Sequence, residues 1–356
     1  MKKINFFAGP AILAQEVLEE AQRAIGNFKN MGLSILEISH RSKQFVEVME
    51  EAQSRVRSLL QLSDDYAVLF LTGGASSQFY MAAMNLLDEG QTAGYLDTGA
   101  WSTKAIKEAK LFGNIDIVAS SKDKNFSYIP KGYNIDSALR YLHITTNNTI
   151  YGTQIHNLPE TNVPLIADMS SDIFSRPIDV SRYDLIYAGA QKNLGPAGTT
   201  LVIVKKDILE KVNRTLPSML NYKTHVDKDS SFNTPPVYAI YVSMLSLRWL
   251  ENNGGIASME AHNKKKAALL YDEIDRNSLF TGSAAVEDRS LMNVCFLPTM
   301  EDHKDGFIAK AGEAGCIGIG GHRSVGGFRA SIYNAMSIDG VQTLVDTMQE
   351  WEKANG

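Results

Sequence analysis

The stretch Leu185-Ile186-Tyr187-Ala188-Gly189-Ala190-Gln191-Lys192-Asn193-Leu194-Gly195-Pro196-Ala197-Gly198 decides how this chain is read. An apolar run of strand character ends in Gln191-Lys192, a Gly/Pro loop follows at once, and a second strand is expected from Thr199 to Val204. That order puts an amine at the carboxyl edge of a sheet, where open α/β sheets bind their ligands. Upstream, Val163-Pro164-Leu165-Ile166-Ala167 reads as a buried strand, with Asp168 just past its end. The 24 residues from Asp168 to Lys192 are about one crossover unit, so both side chains can project from neighbouring strand ends into one crevice.

Taken alone, each of these residues has an ordinary explanation. A lysine in a loop is usually a surface lysine, and an aspartate after a strand is usually a cap or turn acid. Together they suit pyridoxal phosphate, whose aldehyde needs a lysine and whose ring nitrogen needs an acidic partner.

Outward from this pair the pattern repeats. Tyr66 to Leu71 is a buried strand, Thr72-Gly73-Gly74-Ala75-Ser76-Ser77 a glycine turn, and Gln78 to Leu87 a helix. Further strands are expected at Thr92 to Leu96, Ile115 to Ala119, Tyr141 to Thr145 and Pro164 to Ala167, with helical patterns at Ser102 to Phe112 and Ile135 to Leu139. The first long helix has Phe45, Val48, Met49, Ala52, Val56, Leu59 and Leu60 on one face. Strict alternation of strand and helix indicates a mostly parallel sheet covered on both faces. After a long helix over 239–252 the alternation is lost: helix 256–275, strand 291–297, helix 302–314, strand 328–333 and a last helix capped by Ser337. The expected organisation is a large α/β domain over 15–250 and a smaller α+β domain from 1–14 and 251–356.

Composition narrows the classes. At 356 residues the chain exceeds the size at which single cores stop growing, about 250–300 residues. Its 44% hydrophobic and 21% charged residues are ordinary for a soluble globular enzyme. A net charge of −5 argues against a nucleic-acid partner. Cys295 and Cys316 stand outside any CxxC arrangement, so neither a disulfide framework nor a metal site is expected, and a reduced, cytoplasmic setting fits. Asn5, Gly9 and Pro10 interrupt the N-terminal apolar residues too early for a signal core, and no apolar run reaches the ~18 residues of a membrane span.

Other residues carry chemistry in context. The glycine turn joins a strand to a helix N-terminus, where unpaired amides favour a phosphate; a plain tight turn is the equal alternative. Trp101 stands at an expected strand-to-helix loop, placed to stack on a planar ring or to fill the core. His-Arg-Ser occurs as His40-Arg41-Ser42 and again as His322-Arg323-Ser324, with Arg329 close behind. Guanidinium forks bind carboxylate and phosphate, so two such copies beside glycine-rich turns suggest a doubly anionic substrate.

These blocks, with Asn5-Phe6-Phe7-Ala8-Gly9-Pro10-Ala11, Ala167-Asp168-Met169-Ser170-Ser171, Phe232-Asn233-Thr234-Pro235-Pro236 and Gly321-His322-Arg323-Ser324-Val325-Gly326-Gly327-Phe328-Arg329, resemble those of the phosphoserine aminotransferase family, in order and over nearly the whole chain. The resemblance implies a fold type I pyridoxal-phosphate enzyme working as a homodimer with shared active sites. It implies that Lys192 binds the cofactor aldehyde, Asp168 faces the pyridine nitrogen, Trp101 stacks on the ring, and Thr149 and Gln191 contact its 3-hydroxyl side. Ala75 and Ser76 would hold its phosphate, with Asn233 and Thr234 of the partner subunit. Arg329 would take the substrate α-carboxylate, and His40 and Arg41 of the partner subunit, with His322 and Arg323, the distal phosphate. Some members have an arginine where this chain has Ser76, which removes one cationic contact. The implied reaction passes the amino group of L-glutamate to 3-phosphooxypyruvate, and the family also handles the 4-phosphooxy-threonine pair.

Four rivals are weaker on the residues. A desulfurase needs a mobile cysteine, but Cys295 lies in an apolar strand and Cys316 just before one. Aminotransferases of small neutral donors would leave His40, Arg41, His322 and Arg323 unpaired. A nicotinamide enzyme would need GxGxxG spacing, which 315–321 lacks. A cofactor-binding protein without catalysis would have no use for both Lys192 and Asp168.

Overall fold

The computed structural model describes residues 3–356. In chain order, β1 (Ile4–Asn5), α1 (Gln15–Gly26) and α2 (Lys43–Leu60) lead into β2 (Tyr66–Gly73), α3 (Ala75–Leu86), β3 (Thr92–Asp97), α4 (Ala100–Ala109), β4 (Asn114–Ser120) and β5 (Leu142–Thr145). A short hairpin, β6 (Asn147–Asn148) with β7 (Thr153–Gln154), precedes β8 (Leu165–Asp168), β9 (Leu185–Gly189) and β10 (Gly198–Lys205). Then come α5 (Tyr222–Asp227), α6 (Val237–Asn252) and α7 (Gly255–Arg276). The last elements are β11 (Phe280–Gly282), β12 (Asn293–Pro298), α8 (His303–Glu313), β13 (Cys316–Ile317), β14 (Phe328–Ser331) and α9 (Ile338–Asn355).

Seven strands form one sheet in the order β2-β10-β9-β8-β5-β3-β4. All run parallel except β10, which pairs antiparallel with both β2 and β9. Strand periodicity makes the two layers. Along β10, Leu201 and Ile203 face a core built with α1, α2 and α6, while Val202 and Val204 face a second core with α3 and α4. Burial on both faces explains the unbroken apolar runs of β2 and β9.

A third apolar cluster stands apart from the sheet. It gathers Phe6 with Leu270, Phe296, Phe307, Phe328 and Leu344, from α7, β12, α8, β14 and α9. The chain's start joins it directly, since Ile4 and Asn5 pair in parallel with Cys316 and Ile317. Among the described residues, no helix is long and apolar enough to cross a membrane, and no group of His, Cys, Asp and Glu forms a metal site.

Several sequence expectations need correction. The helical pattern at 135–139 forms no helix: Asp136 Oδ1 accepts the backbone N–H of Ala138, a local turn that competes with helix in so short a segment. Helix α1 went unassigned because its buried face is Val17, Ala21 and Ala24, two of them too small to mark a stripe. The glycine turn is shorter than expected, since Ala75 to Ser77 already belong to α3. Asp168 is the last residue of its strand rather than the first beyond it, and Trp101 lies in the first turn of α4 rather than in the loop. Cys316 lies in a strand, β13, and not before one. The strand expected to reach Tyr333 ends at Ser331, because the following carbonyls turn to meet Lys266.

Candidate active site

The carboxyl ends of β2, β8 and β9 open onto a cavity of ≈ 540 Å³. At the end of β2, Gly73 has φ 118°, a conformation that favours glycine, and a Cβ there would lie 2.8 Å from Ser77 Oγ. The chain can then turn directly into α3, whose first-turn amides at Ala75 and Ser76 have no intrahelical acceptor. Trp101 is fixed from below: Ser102 Oγ accepts the N–H groups of Thr98 and Gly99, both at 2.9 Å, and Asp97 Oδ1 accepts the Thr103 hydroxyl at 2.7 Å.

Asp168 is buried at the tip of β8. Its Oδ1 accepts the Ser170 N–H at 2.9 Å and the Ser170 hydroxyl at 2.6 Å, while Oδ2 receives no hydrogen bond from the described residues. The same Ser170 Oγ accepts the N–H of Gly189, locking the ends of β8 and β9 together. Three residues past β9, a tight turn in which Lys192 N–H and Gly195 N–H share the Ala190 carbonyl aims the lysine into the cavity. Lys192 Nζ donates to Thr149 Oγ1 at 3.3 Å and lies 5.7 Å from the Trp101 ring centroid.

A guanidinium closes the arrangement. Arg329, on β14, donates from Nη1 to the Thr149 carbonyl at 3.4 Å, and its buried Nε has no partner. Beside it, residues 321–326 fold back so closely that a Cβ on Gly321 would strike the Gly326 carbonyl oxygen, which leaves glycine as the residue that fits. The resulting turn presents His322 and Arg323, with the Ser324 N–H donating to His322 Nδ1 at 3.2 Å. Val325 packs on a small cluster of Phe126, Ile150, Tyr151 and Trp101, so the turn and the tryptophan are held as one unit.

The electrostatics fit an amine poised for attack. Burial pulls the Lys192 pKa below its ordinary value, with Asp168 and Asp172 opposing and Arg329 assisting. The Asp168 carboxyl is raised by burial, against the Lys192 ammonium and the two Ser170 donors. His322 is lowered by burial first and then by Arg329, Arg323 and Lys104, so it is mainly neutral at pH 7.

Of the residues singled out in the sequence, Ala75, Ser76, Trp101, Thr149, Asp168, Gln191, Lys192, His322, Arg323 and Arg329 all line this cavity. His40, Arg41, Asn233 and Thr234 of the same chain do not. Asn233 lines a separate hollow against the other side of α3, with Ser77 and Tyr80. Lys104, Ser170, Ala8 and Gly9 also reach the site and were not read as functional. Lys104 carried a usable signal, since it follows Trp101 by three positions on a helix.

The aminotransferase class-V family model matches residues 4–344. The chain belongs to the aminotransferase class-V family. It is 60% identical to the phosphoserine aminotransferase of Flavobacterium johnsoniae over 353 residues, 99% of each chain. The solved phosphoserine aminotransferase of Bacillus circulans subsp. alkalophilus superposes with TM-score 0.97 at 45% identity, covering 100% of this chain and 99% of that one. That of Trichomonas vaginalis, solved with PLP bound, gives 0.93 at 37% identity and covers 98% and 100%.

Within this class-V chain the donor set itself tests the cofactor. A planar, phosphorylated pyridine aldehyde needs an amine, an acid, a flat apolar neighbour and a phosphate seat. Lys192, the free Oδ2 of Asp168, the Trp101 ring with its unpartnered Nε1, and the α3 N-terminus supply them around one cavity. The residues fit the group.

Proposed function

We propose that this protein is a pyridoxal-phosphate-dependent transaminase that moves the amino group of L-glutamate to 3-phosphooxypyruvate, giving 2-oxoglutarate and O-phospho-L-serine. The convergence of Lys192, Asp168, Trp101 and Arg329 on one cavity carries this reading, and the names of its close relatives support it.

Pyridoxal phosphate, when bound, supplies an aldehyde for the amino group and a ring that withdraws electrons from the substrate Cα. Lys192 would hold it through its amine, Asp168 would meet its ring nitrogen through Oδ2, and the amides of Ala75 and Ser76 would hold its phosphate. Thr149 and Gln191 would also contact it, and Trp101 would stack on its ring. The lowered pKa of the Lys192 amine would suit it to take a proton from the substrate Cα as base and return one as acid. Arg329 fixes the substrate α-carboxylate through its guanidinium fork. His322 and Arg323 receive the distal carboxylate of glutamate or the phosphate of the partner substrate, two anions of similar reach.

The enzyme works as a homodimer in this reading. His40, Arg41, Asn233 and Thr234 lie off the cavity of their own chain and would complete the cavity of a second copy. Exposed Met31, Leu33, Leu36 and Val46, next to His40 and Arg41 in the sequence, offer an apolar surface for it. Residues 15–250 would form the cofactor-binding domain, and 1–14 with 251–356 the smaller one. A cytoplasmic setting agrees with two buried, unpaired cysteines.

The purified protein is expected to be yellow, to fix its cofactor on Lys192 under borohydride, and to lose colour on mixing with O-phospho-L-serine or L-glutamate. 4-Phosphooxy-L-threonine belongs in the same assay. Bleaching by alanine without bleaching by O-phospho-L-serine would overturn the substrate assignment.

A further inference from the structure

Lys104 has a place in this cavity that neither the fold nor the lysine–acid pair requires. It stands on α4, three positions after Trp101, which puts both on one face of the helix. Its side chain is exposed at the cavity mouth, with His322, Arg323 and Ser324 across from it. The ammonium rests 4.3 Å from the centroid of the Trp101 ring. It makes no salt bridge within the described residues, although Glu108 is available four positions on. A cation resting on an aromatic ring beside a cavity, with no ion pair to hold it, is held weakly.

The charge balance of the site points the same way. Burial and the neighbouring Arg329, Arg323 and Lys104 hold the His322 pKa below its ordinary value, which favours its uncharged, hydrogen-bonding form. Arg329 is engaged with the α-carboxylate and Lys192 with the reaction. From this chain Arg323 and Lys104 remain to answer the far end of the substrate, beside the Arg41 that a second copy would bring. A phosphate monoester carries nearly two charges at neutral pH, a carboxylate one.

We propose that Lys104 is a specificity-determining residue, whose ammonium leaves the Trp101 ring to pair with the substrate phosphate and does less for the distal carboxylate of glutamate. The exchange is favourable because a charge-assisted bond to phosphate is stronger than a cation–π contact at an exposed site. The four-carbon stem allows the swing without moving α4. The inference rests on the substrate reading given above and adds the residue that sorts its two anions.

The test is steady-state kinetics of wild type, Lys104→Met and Lys104→Arg holoenzyme with O-phospho-L-serine and with L-glutamate, at low and high salt. For Lys104→Met, KM for O-phospho-L-serine is expected to rise about tenfold, KM for glutamate by no more than about threefold, and kcat to change by less than about twofold. Lys104→Arg should recover most of the loss, and high salt should shrink it. Equal losses for both donors, or no loss at all, would overturn the proposal. So would a changed cofactor absorbance in resting Lys104→Met, because the residue would then act through Trp101. If the wild type itself fails to turn over O-phospho-L-serine, the substrate reading falls and takes this inference with it. If the wild type succeeds and Lys104→Met matches it, only the role of Lys104 falls.

Discussion

Asn193 Oδ1 accepts the backbone N–H of Asn334 at 3.0 Å, which ties the turn carrying Lys192 to the segment that follows β14. Asn193 Nδ2 donates to the Ser171 carbonyl at 3.1 Å, and Asn334 Oδ1 accepts from Asn263 Nδ2 at 2.9 Å. Asn334 Nδ2 in turn reaches the Phe174 carbonyl at 3.1 Å. One residue earlier, the Tyr333 hydroxyl donates to the Ala8 carbonyl at 2.7 Å. The lysine turn, the end of β8, helix α7 and the segment after the strand bearing Arg329 are therefore tied together by hydrogen bonds.

Asn193→Ala removes one acceptor and one donor and leaves the Asn334 N–H and the Ser171 carbonyl unpaired. A loss of about 1–3 kcal/mol is expected in urea unfolding. Because the turn also aims Lys192, kcat should fall by about tenfold while KM for glutamate changes less. Unchanged kcat in a destabilised variant would show that the network holds the fold without steering the lysine.

Lys192→Ala should lower transamination by at least the ~10²–10⁴ of a lost general acid–base, with the cofactor no longer fixed by borohydride. Lys192→Arg should not rescue, since a guanidinium stays protonated at any working pH. Single-turnover mixing and mass spectrometry of the reduced protein check both points.

Asp168→Asn keeps an oxygen for the Ser170 donors at 2.9 and 2.6 Å but loses the negative charge facing the cavity. Folding should be little affected, and kcat should fall by at least about a hundredfold through the lost charge. A thermal melt beside the kinetics separates these effects; a variant that unfolds early and reacts normally would contradict this assignment.

Arg329→Gln strips the fork that meets the α-carboxylate and leaves the Thr149 carbonyl short of a donor. KM for both amino donors should rise together, by about tenfold to a hundredfold, because both carry the same α-carboxylate. This parallel rise contrasts with the unequal one expected at Lys104.

Buried Lys266 gives a pH signature. Its Nζ donates to the carbonyls of Ile332 at 2.9 Å and Tyr333 at 2.7 Å, and burial lowers its pKa from 10.5 to about 7. Between those values the unfolded chain binds more protons at this site, so stability rises with pH through that window. Its destabilising contribution is complete below about pH 7 and relieved toward pH 10.5. Urea midpoints of wild type minus Lys266→Met at pH 6, 8 and 9.5 should increase in that order, and a flat difference would contradict the shift.

Much of the site was legible because its parts are local. An amine after an apolar run, an acid at the tip of another and a glycine turn into a helix each show within a dozen residues, and the even burial of β2 and β9 marks the sheet. Helix α1 was lost because alanines carry its buried face. The 135–139 segment misled because helical spacing over five residues cannot outweigh the local Asp136 turn. Trp101 stood between ring-stacking and core filling until its position in the first turn of α4 set it at the cavity wall. Lys104 shows in the sequence only as a helix neighbour of Trp101, since its meaning depends on a turn more than two hundred residues away.

By itself the sequence determined the central strands of the sheet, the apolar face of its long helices such as Lys43–Leu60, and that an acid and an amine share one sheet edge, because side-chain period and turn chemistry are properties of short segments. Tertiary structure alone decided that β10 runs against its neighbours, that Ile4 and Asn5 pair with Cys316 and Ile317, and that Arg329 and the 321–326 turn face Trp101 and Lys192. Those placements depend on contacts between segments far apart in the chain, formed by packing and hydrogen bonds such as Asn193 to Asn334, which no local periodicity encodes.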